Sequence, residues 1–200
     1  MVKMPDDWAV PERAQPKRYE STLQTERLVL RMFTAEDIEP YARICSDPEV
    51  MRFLSLTGPY SRIESWRHVA MILGHWQLRG YGLWAVEERA TGALIGRIGF
   101  LRPDGWPGFE LGWMLARSYW GRGFATEGAR RALDYSFSVN GPERVISLIH
   151  PDNRASIRVA ERLGERLSGQ TELLGWRLLI YAIDRDAATR VAPSDVPTPA

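Results

Sequence analysis

The 200-residue chain has little cysteine, little excess charge and no long hydrophobic run. Its one cysteine, Cys45, excludes an internal disulfide and a cluster of metal-binding thiolates, and we expect it to be a small buried residue in a helix. The formal net charge of +1 gives no bulk attraction to nucleic acid or to a membrane surface. The N-terminal residues lack the apolar core of a secretory signal, and no apolar run approaches the roughly 18 residues that span a bilayer. We therefore expect a cytoplasmic protein that binds neither nucleic acid nor membranes.

Proline and polar residues without an apolar period dominate both ends of the chain. We expect a mobile N-terminal arm over residues 1–22 and a mobile C-terminal tail over residues 186–200. The length is enough for one sizeable core and does not require a second. Residues 23–185 are therefore predicted to form a single domain.

Strand and helix patterns alternate between these ends. A capping box at Ser61 and Glu64 and a stop at Gly80 predict a helix between them. Strands are predicted in "TERLVLRMF", over Arg27 to Phe33, and in "FELGWML", "RVISLIH" and "WRLLIYAID". The runs "YGLWAVEE" and "ALIGRIGFL", joined by "RATG", are predicted to form a hairpin. Further helices are predicted in "TAEDIEPYARICSD", near Gly123 and in "DNRASIRVAERLG". This order favours an α/β (α+β) class, with a mixed, mostly antiparallel central sheet and helices on both faces.

Two glycines, Gly121 and Gly123, stand between a predicted strand and a predicted helix. Glycine lets the backbone approach a ligand closely, and a helix start offers unpaired N–H groups and a positive dipole end. The turn suits a phosphate, although glycines that merely ease a loop before a helix would give the same pattern. A P-loop would need Gly-Lys followed by Ser or Thr, and a dinucleotide fingerprint would need a third glycine at Thr126, so both of these fits fail.

"YWGRGFATEG" resembles motif A of the GNAT superfamily of acetyl-CoA-dependent N-acetyltransferases, in particular its RimJ/RimL-like, ribosomal-protein branch. "TERLVLR", "IGRIGF" and "FELGWML" resemble strands of that branch, and "NRASIRVAERLG" resembles its motif B. Gly123 and Ala125 match the general motif, whereas Trp120 stands where Gln or Arg is usual, as is familiar in that branch. The resemblance implies the GNAT fold, with splayed central strands.

The resemblance also implies a donor site for acetyl-CoA, with CoA as the product and no metal. The pantetheine arm would lie between the strands 109–115 and 144–150 and pair with backbone around Met114 and Leu115. The turn would hold the pyrophosphate mainly through backbone N–H groups. The donor-binding residues implied in this way are Met114, Leu115, Gly121, Arg122, Gly123, Phe124, Ala125, Thr126, Asn153 and Arg158.

Residues of the motif B helix have simpler interpretations as well. Asn153 would serve equally as a helix cap, and Ser156 as a surface hydroxyl. Arginines recur every four residues along one stripe, partly balanced by Glu161 and Glu165, which favours a solvated face for all of them except Arg158. These arginines are Arg154, Arg158, Arg162 and Arg166.

The reaction itself predicts the catalytic candidates. An amine must be neutral to attack a thioester, and the departing thiolate benefits from a proton. Glu110, a carboxylate in an otherwise apolar strand, is the candidate base, with a structural carboxylate as the alternative; His150 is the second candidate. Ser156 would protonate the thiolate. His68 and His75 lack a third ligand, so no metal site is predicted.

We therefore expect an N-acetyltransferase that moves an acetyl group to a primary amine by direct attack. The acceptor would be a protein N-terminus, a peptide or a small molecule, with a weak tilt towards a protein α-amine. The protein would be a monomer or a homodimer. The alternatives are a non-catalytic acyl-CoA-binding sensor or interaction module on the same fold, and a Rossmann-type nucleotide binder that the broken fingerprint disfavours.

Overall fold

The computed structural model describes residues 19–139 and 141–186. Its strands are β1 (Leu23–Gln24), β2 (Leu28–Arg31), β3 (Leu83–Glu88), β4 (Ala93–Leu101), β5 (Glu110–Leu115), β6 (Arg144–Ile149), β7 (Arg166–Leu173) and β8 (Trp176–Asp184). Its α-helices are α1 (Ile38–Cys45), α2 (Pro48–Met51), α3 (Arg62–Arg79), α4 (Phe124–Ser138) and α5 (Arg154–Leu163). Within the described ranges, no helix combines the length and the apolar character needed to cross a membrane.

The strands form one eight-stranded sheet in the order β1-β2-β3-β4-β5-β6-β8-β7. Neighbouring strands are antiparallel throughout, except for the central pair β5 and β6, which runs parallel. The predicted β3–β4 hairpin and the mixed, mostly antiparallel sheet are confirmed.

Helices cover both faces of the sheet, as two consecutive residues of β4 show. The Arg97 side chain reaches Tyr41 of α1, with 3.2 Å between Nε and Oη. Ile98 points the other way and lies under Gly128 of α4, where an added Cβ would come within 2.6 Å of the Ile98 Cδ1 atom. Alternation along a strand therefore directs β4 side chains to α1 on one face and to α4 on the other.

The helix ends follow the sequence signals. Ser61 and Glu64 form the predicted capping box of α3, and Gly80 ends that helix in a left-handed conformation with φ 77°. Gly164 ends α5 in the same way, with φ 92°. Cys45 is buried at the end of α1, as expected.

The boundary of the expected N-terminal arm needs a correction. Tyr19 is buried, its amide donates to the Gly80 carbonyl at 2.8 Å, and its hydroxyl lies 2.7 Å from the Ser136 hydroxyl. Tyr19 is part of the core, because its ring is buried and its amide and hydroxyl groups are both hydrogen-bonded. The domain therefore begins by residue 19. The expected arm up to residue 18, and the tail from residue 187, lie outside the described residues.

The two central strands separate after a single paired position. Glu110 of β5 is in register with Ile146 of β6, whose amide donates to the Phe109 carbonyl at 2.9 Å. From there β5 continues along β4, while β6 continues along β8. The splay implied by the resemblance is thus present, and it opens the sheet between its two central strands.

Candidate active site

A cleft of about 540 Å³ lies beside the end of β5, beyond the position where β6 parts from it. Its walls come from the end of β5, the glycine turn with the start of α4, one side of α5, and the segment around α2. Most of the expected donor-binding residues line it, namely Met114, Leu115, Gly121, Gly123, Phe124, Ala125, Thr126, Asn153 and Arg158, together with the catalytic candidate Ser156. The structure thus brings residues from three separate motifs into one cavity.

The glycine turn takes a shape that other residues would adopt only under strain. Gly121 and Gly123 have φ values of 72° and 83°, in the left-handed region. A Cβ on Gly121 would meet nothing within 4 Å, so the missing side chain leaves open space at the cleft wall. Gly123 is the N-cap of α4 and brings no capping side chain. The first N–H groups of this helix therefore remain available to a ligand.

The side chain of Arg122 lies outside this cleft. Its guanidinium is 3.4 Å from a carboxylate oxygen of Glu88 and lies over the rings of Tyr119 and Phe124, at 5.2 and 4.9 Å from their centroids. Arg122 therefore fastens the turn to the β3–β4 hairpin, which is a structural role that its place in the motif did not reveal.

Arginines form a cationic rim on α5. Arg154, Arg158 and Arg162 all line the cleft, and none of them makes an ion pair with another described residue. All three are exposed, as expected for a solvated face, and Arg154 and Arg162 line the cleft together with Arg158. Their spacing of four residues was the available signal, because it places the three side chains on one side of the helix. Arg166 begins β7 instead.

Ser156 and Asn153 take well-defined positions at the start of α5. The Asn153 Oδ1 atom accepts from the Ser156 amide at 3.1 Å, so Asn153 is the helix cap while also lining the cleft. The Ser156 hydroxyl oxygen accepts from the indole Nε1 of Trp113 at 3.2 Å. Because this bond occupies a lone pair, the hydroxyl proton remains available for donation into the cleft.

The main chain of β5 corrects the expected pairing at Met114. The Met114 carbonyl faces β4, since a Cβ on Gly96 would lie 2.0 Å from it. Alternation then directs the amides and carbonyls of Trp113 and Leu115 towards the β6 side. The Leu115 carbonyl already accepts from the Trp120 indole at 2.8 Å. The main chain of Trp113 therefore faces the gap, which the sequence did not predict.

Glu110 stands beside the vertex of the splay and is partly buried. Burial raises its carboxyl pKa, and the hydrogen bonds from the Trp106 indole and the Leu148 amide oppose that rise. The structural alternative, a carboxylate bonded to the neighbouring strand, is therefore realised. A raised pKa also suits a general base, so the two roles are compatible.

His150 is packed between two aromatic rings. Phe53 stacks on it and Trp176 meets it edge-on, each with ring centroids 4.9 Å from the imidazole. Its Nδ1 atom accepts from the Asp152 amide at 3.2 Å. The Nδ1 lone pair of His150 is therefore engaged within its own loop.

Glu165 is a buried carboxyl group and does not balance the arginines on the surface. Burial, together with the nearby charge of Glu110, raises its pKa to about 8. The Ser147 hydroxyl oxygen lies 3.0 Å from Glu165 Oε1 and 2.9 Å from the Leu111 carbonyl oxygen. A hydroxyl has one proton, so a protonated Glu165 that donates to Ser147 lets Ser147 donate to Leu111. This chain of bonds links β5 and β6 just beyond their last paired position.

The histidines of α3 have structural partners. His75 contacts the Tyr81 carbonyl and the Arg102 amide, and His68 contacts the Tyr41 hydroxyl. In the part of the chain that the structure describes, no group of three or more His, Cys, Asp or Glu side chains could hold a metal ion.

Comparison with known proteins agrees with this geometry. Residues 27–166 match the family model described as an acetyltransferase (GNAT) domain. The chain belongs to the GNAT acetyltransferase family, and it is an N-acetyltransferase of that family. It is 31% identical over 150 residues to the uncharacterized N-acetyltransferase p20 of Bacillus licheniformis, across 74% of this chain and 84% of that protein.

Solved structures share the fold. An acetyltransferase from Agrobacterium tumefaciens superposes with a TM-score of 0.73 at 31% identity, covering 86% of this chain and 99% of that one. RimJ from Mycobacterium smegmatis, solved with a CoA disulfide, gives a TM-score of 0.67 at 21% identity, covering 82% of this chain and 87% of that one. The second likeness shows the fold alone and does not assign this chain to the RimJ/RimL branch.

Proposed function

We propose that this protein transfers the acetyl group of acetyl-CoA to a primary amine by direct attack. One observation carries the proposal: the left-handed turn at Gly121 and Gly123 presents the start of α4 to a cleft at the β5–β6 splay. Acetyl-CoA supplies the acetyl group as an activated thioester. The structure of RimJ, which was solved with a CoA disulfide, supports a CoA-type ligand on this fold.

The donor's phosphates would meet two sources of positive potential. The N–H groups of Phe124, Ala125 and Thr126 at the start of α4 supply hydrogen bonds and a dipole end. The arginines on α5 add full charges at the same cleft. The site fits a pyrophosphate because the backbone and the side chains both present donors and no carboxylate competes from the turn itself.

The pantetheine arm would extend the sheet where β6 leaves β5. The main-chain groups of Trp113 and Leu115 face that gap, so an amide-bearing chain lying there gains strand-like hydrogen bonds. The Trp120 indole, which holds the Leu115 carbonyl, would either move aside or leave Trp113 as the main partner.

The chemistry divides between two side chains. Glu110 accepts a proton from the attacking amine, whose nitrogen forms a bond to the acetyl carbonyl carbon as the carbon–sulfur bond breaks. Ser156 donates its proton to the departing thiolate, and solvent returns one to it. A carboxylate with a raised pKa and a hydroxyl already held by Trp113 are matched to these two tasks.

Thiol release from acetyl-CoA in the presence of a panel of amines tests the proposal. The panel contains free amino acids, their carboxamides, peptides with free N-termini and simple polyamines, and mass spectrometry identifies any acetylated product. We expect release that depends on an amine and matches the amount of product. Tight acetyl-CoA binding without turnover on any amine would contradict the proposal and favour a sensor.

A further inference from the structure

Arg97 carries a permanent positive charge inside the protein. It lies in the middle of β4 and is only 9% exposed. Its Nε atom donates to the Tyr41 hydroxyl at 3.2 Å. Among residues 19–139 and 141–186, no carboxylate lies within 4 Å of the guanidinium, and its terminal nitrogens have no protein partner. A buried cation is ordinarily paired, so this one lacks an anion.

The terminal nitrogens of Arg97 are accessible from outside. The described side-chain nitrogen and oxygen atoms that are sealed from solvent without a partner belong to Glu165 and Arg185, and Arg97 is not one of them. The terminal guanidinium nitrogens therefore keep some contact with solvent, although the residue as a whole is buried.

The groups around Arg97 on the helices do not neutralise it. Tyr41 passes the hydrogen bond on to Nδ1 of His68, 2.8 Å away. Burial, and then the charge of Arg97, lowers the pKa of His68 to about 3. Burial also raises the pKa of the Tyr41 hydroxyl and of the Cys45 thiol. All three groups are uncharged near pH 7, so none of them balances the positive charge of Arg97.

A bare strip of sheet runs from Arg97 to Glu110. Arg97 is in register with Met114, and Gly99 with Gly112, so alternation places Gly112 and Glu110 on the same face as Arg97. Gly112 is partly exposed, and a Cβ there would meet only a Glu110 carboxylate oxygen, at 3.9 Å. The surface over Gly112, next to the Glu110 carboxylate, is therefore open.

The charges of Arg97 and Glu110 interact electrostatically but do not form an ion pair. Arg97 lowers the pKa of Glu110, against the larger effect of burial, yet no ion pair joins them. Met114, the register partner of Arg97, is four residues from Glu110, which is about 13 Å along an extended strand. The Arg97 and Glu110 side chains are both long, so their charged groups lie closer together than that main-chain distance. A small molecule can bridge the remaining gap.

We infer that Arg97 binds the carboxylate of the acceptor, so that the acceptor is a small amine that also carries a carboxylate, such as a free amino acid. The inference rests on the proposed function, in which Glu110 takes the amine proton. A guanidinium fork matches a carboxylate with two parallel hydrogen bonds. The opposite charges at the two ends of the strip then fix both the position and the direction of a zwitterion.

Matched acceptors test the inference on the unaltered protein. Each L-amino acid is compared with its carboxamide and with its decarboxylated amine, and kcat/KM is measured by thiol release at saturating acetyl-CoA. We expect kcat/KM for at least one amino acid to exceed the values for both of its analogues by about 100-fold. An analogue without the carboxylate leaves the buried Arg97 cation unpaired. Equal or better turnover of the analogues, or of peptides alone, would overturn the inference.

Variants then assign the preference to Arg97. In Arg97→Gln we expect the ratio of amino acid to carboxamide turnover to fall towards one, and in Arg97→Lys to fall partway, because lysine keeps the charge but loses the fork. Arg67→Gln, at an exposed position on α3, is the matched control and should keep the wild-type ratio. An unchanged ratio in a folded Arg97→Gln protein would overturn the assignment.

The proposed activity and the carboxylate preference give different results when they fail. If the N-acetyltransferase proposal is wrong, no amine of any class releases thiol. If only the carboxylate inference is wrong, thiol release occurs without preference for the carboxylate. The wild-type comparison needs no variant, so poor folding of an Arg97 substitution does not affect it.

Discussion

The indole Nε1 of Trp113 on β5 donates to the hydroxyl oxygen of Ser156 on α5 across 3.2 Å. This bond spans the cleft wall from the sheet to the helix and fixes the hydroxyl where the thioester sulfur of a bound donor would lie under the proposed function. It also supplies one hydrogen bond to the oxygen, which eases loss of its proton.

Removing the hydroxyl should slow transfer more than it weakens binding. For Ser156→Ala we expect kcat to fall about 10- to 100-fold, while the dissociation constant of acetyl-CoA changes less than about threefold. Ser156→Thr, which keeps a hydroxyl, should recover part of the loss. The measurement is steady-state kinetics together with donor titration, and an unaltered kcat in the alanine variant would remove Ser156 as the acid.

Glu110→Gln should alter the pH dependence of the rate. Burial raises the pKa of Glu110 above its ordinary value, so the basic carboxylate is lost as pH falls through that raised pKa. We expect the variant to lose about 100-fold in kcat/KM at pH 6 to 7 and less at high pH, where free amine is plentiful. Glu172→Gln, at an exposed position of β7, is the control. Identical pH profiles for Glu110→Gln and wild type would point to His150 or water as the base.

The glycine turn gives a prediction about donor binding. Gly123→Val places a branched side chain at φ 83° beside the start of α4, and its Cβ would lie 3.5 Å from Arg27. We expect acetyl-CoA affinity to fall at least about tenfold. Gly92→Val is the control, since Gly92 has φ 68° and open space in the β3–β4 turn, away from the donor cleft. Equal affinities for the two variants would remove the turn from phosphate binding.

Glu165 should make stability depend on pH. Its folded pKa of about 8 lies above the ordinary value of 4.5, so its contribution to stability is full below pH 4.5 and is lost as pH rises through 8. Glu165→Gln cannot ionise and keeps a donor for Ser147. We expect the free energy of unfolding of the variant, relative to wild type, to rise by about 2–5 kcal/mol between pH 5 and pH 9. Denaturant titrations at both pH values measure this, and a constant difference would contradict the buried acid.

Much of the framework was predictable because the signals were local. Capping residues, alternating strands and the glycine turn each act within a few residues of sequence, and the structure places them as expected. The exceptions among the strands are β1 and β7, which the sequence did not suggest. β1 has only two residues, and β7 is an exposed edge strand with little apolar alternation, held by backbone pairing to β8.

The site was less predictable because its decisive features depend on neighbours distant in sequence. Which way the Met114 carbonyl points is set by the β4 register, and Arg122 is drawn away by Glu88. Glu165 fits a charge-balanced helix stripe, yet Gly164 ends the helix just before it and turns it inward under Ser147. Arg97 looks like an ordinary charged residue in a strand, and only the sheet shows that it is buried without an anion.

Calorimetric titration with acetyl-CoA, with NAD and ATP as controls, tests the central claim most directly. The account predicts saturable, roughly micromolar binding of acetyl-CoA and much weaker binding of both controls, because the cleft offers a pyrophosphate cradle continuous with a gap for an amide-bearing arm. A folded protein that binds acetyl-CoA no better than ATP would contradict the role of the cleft.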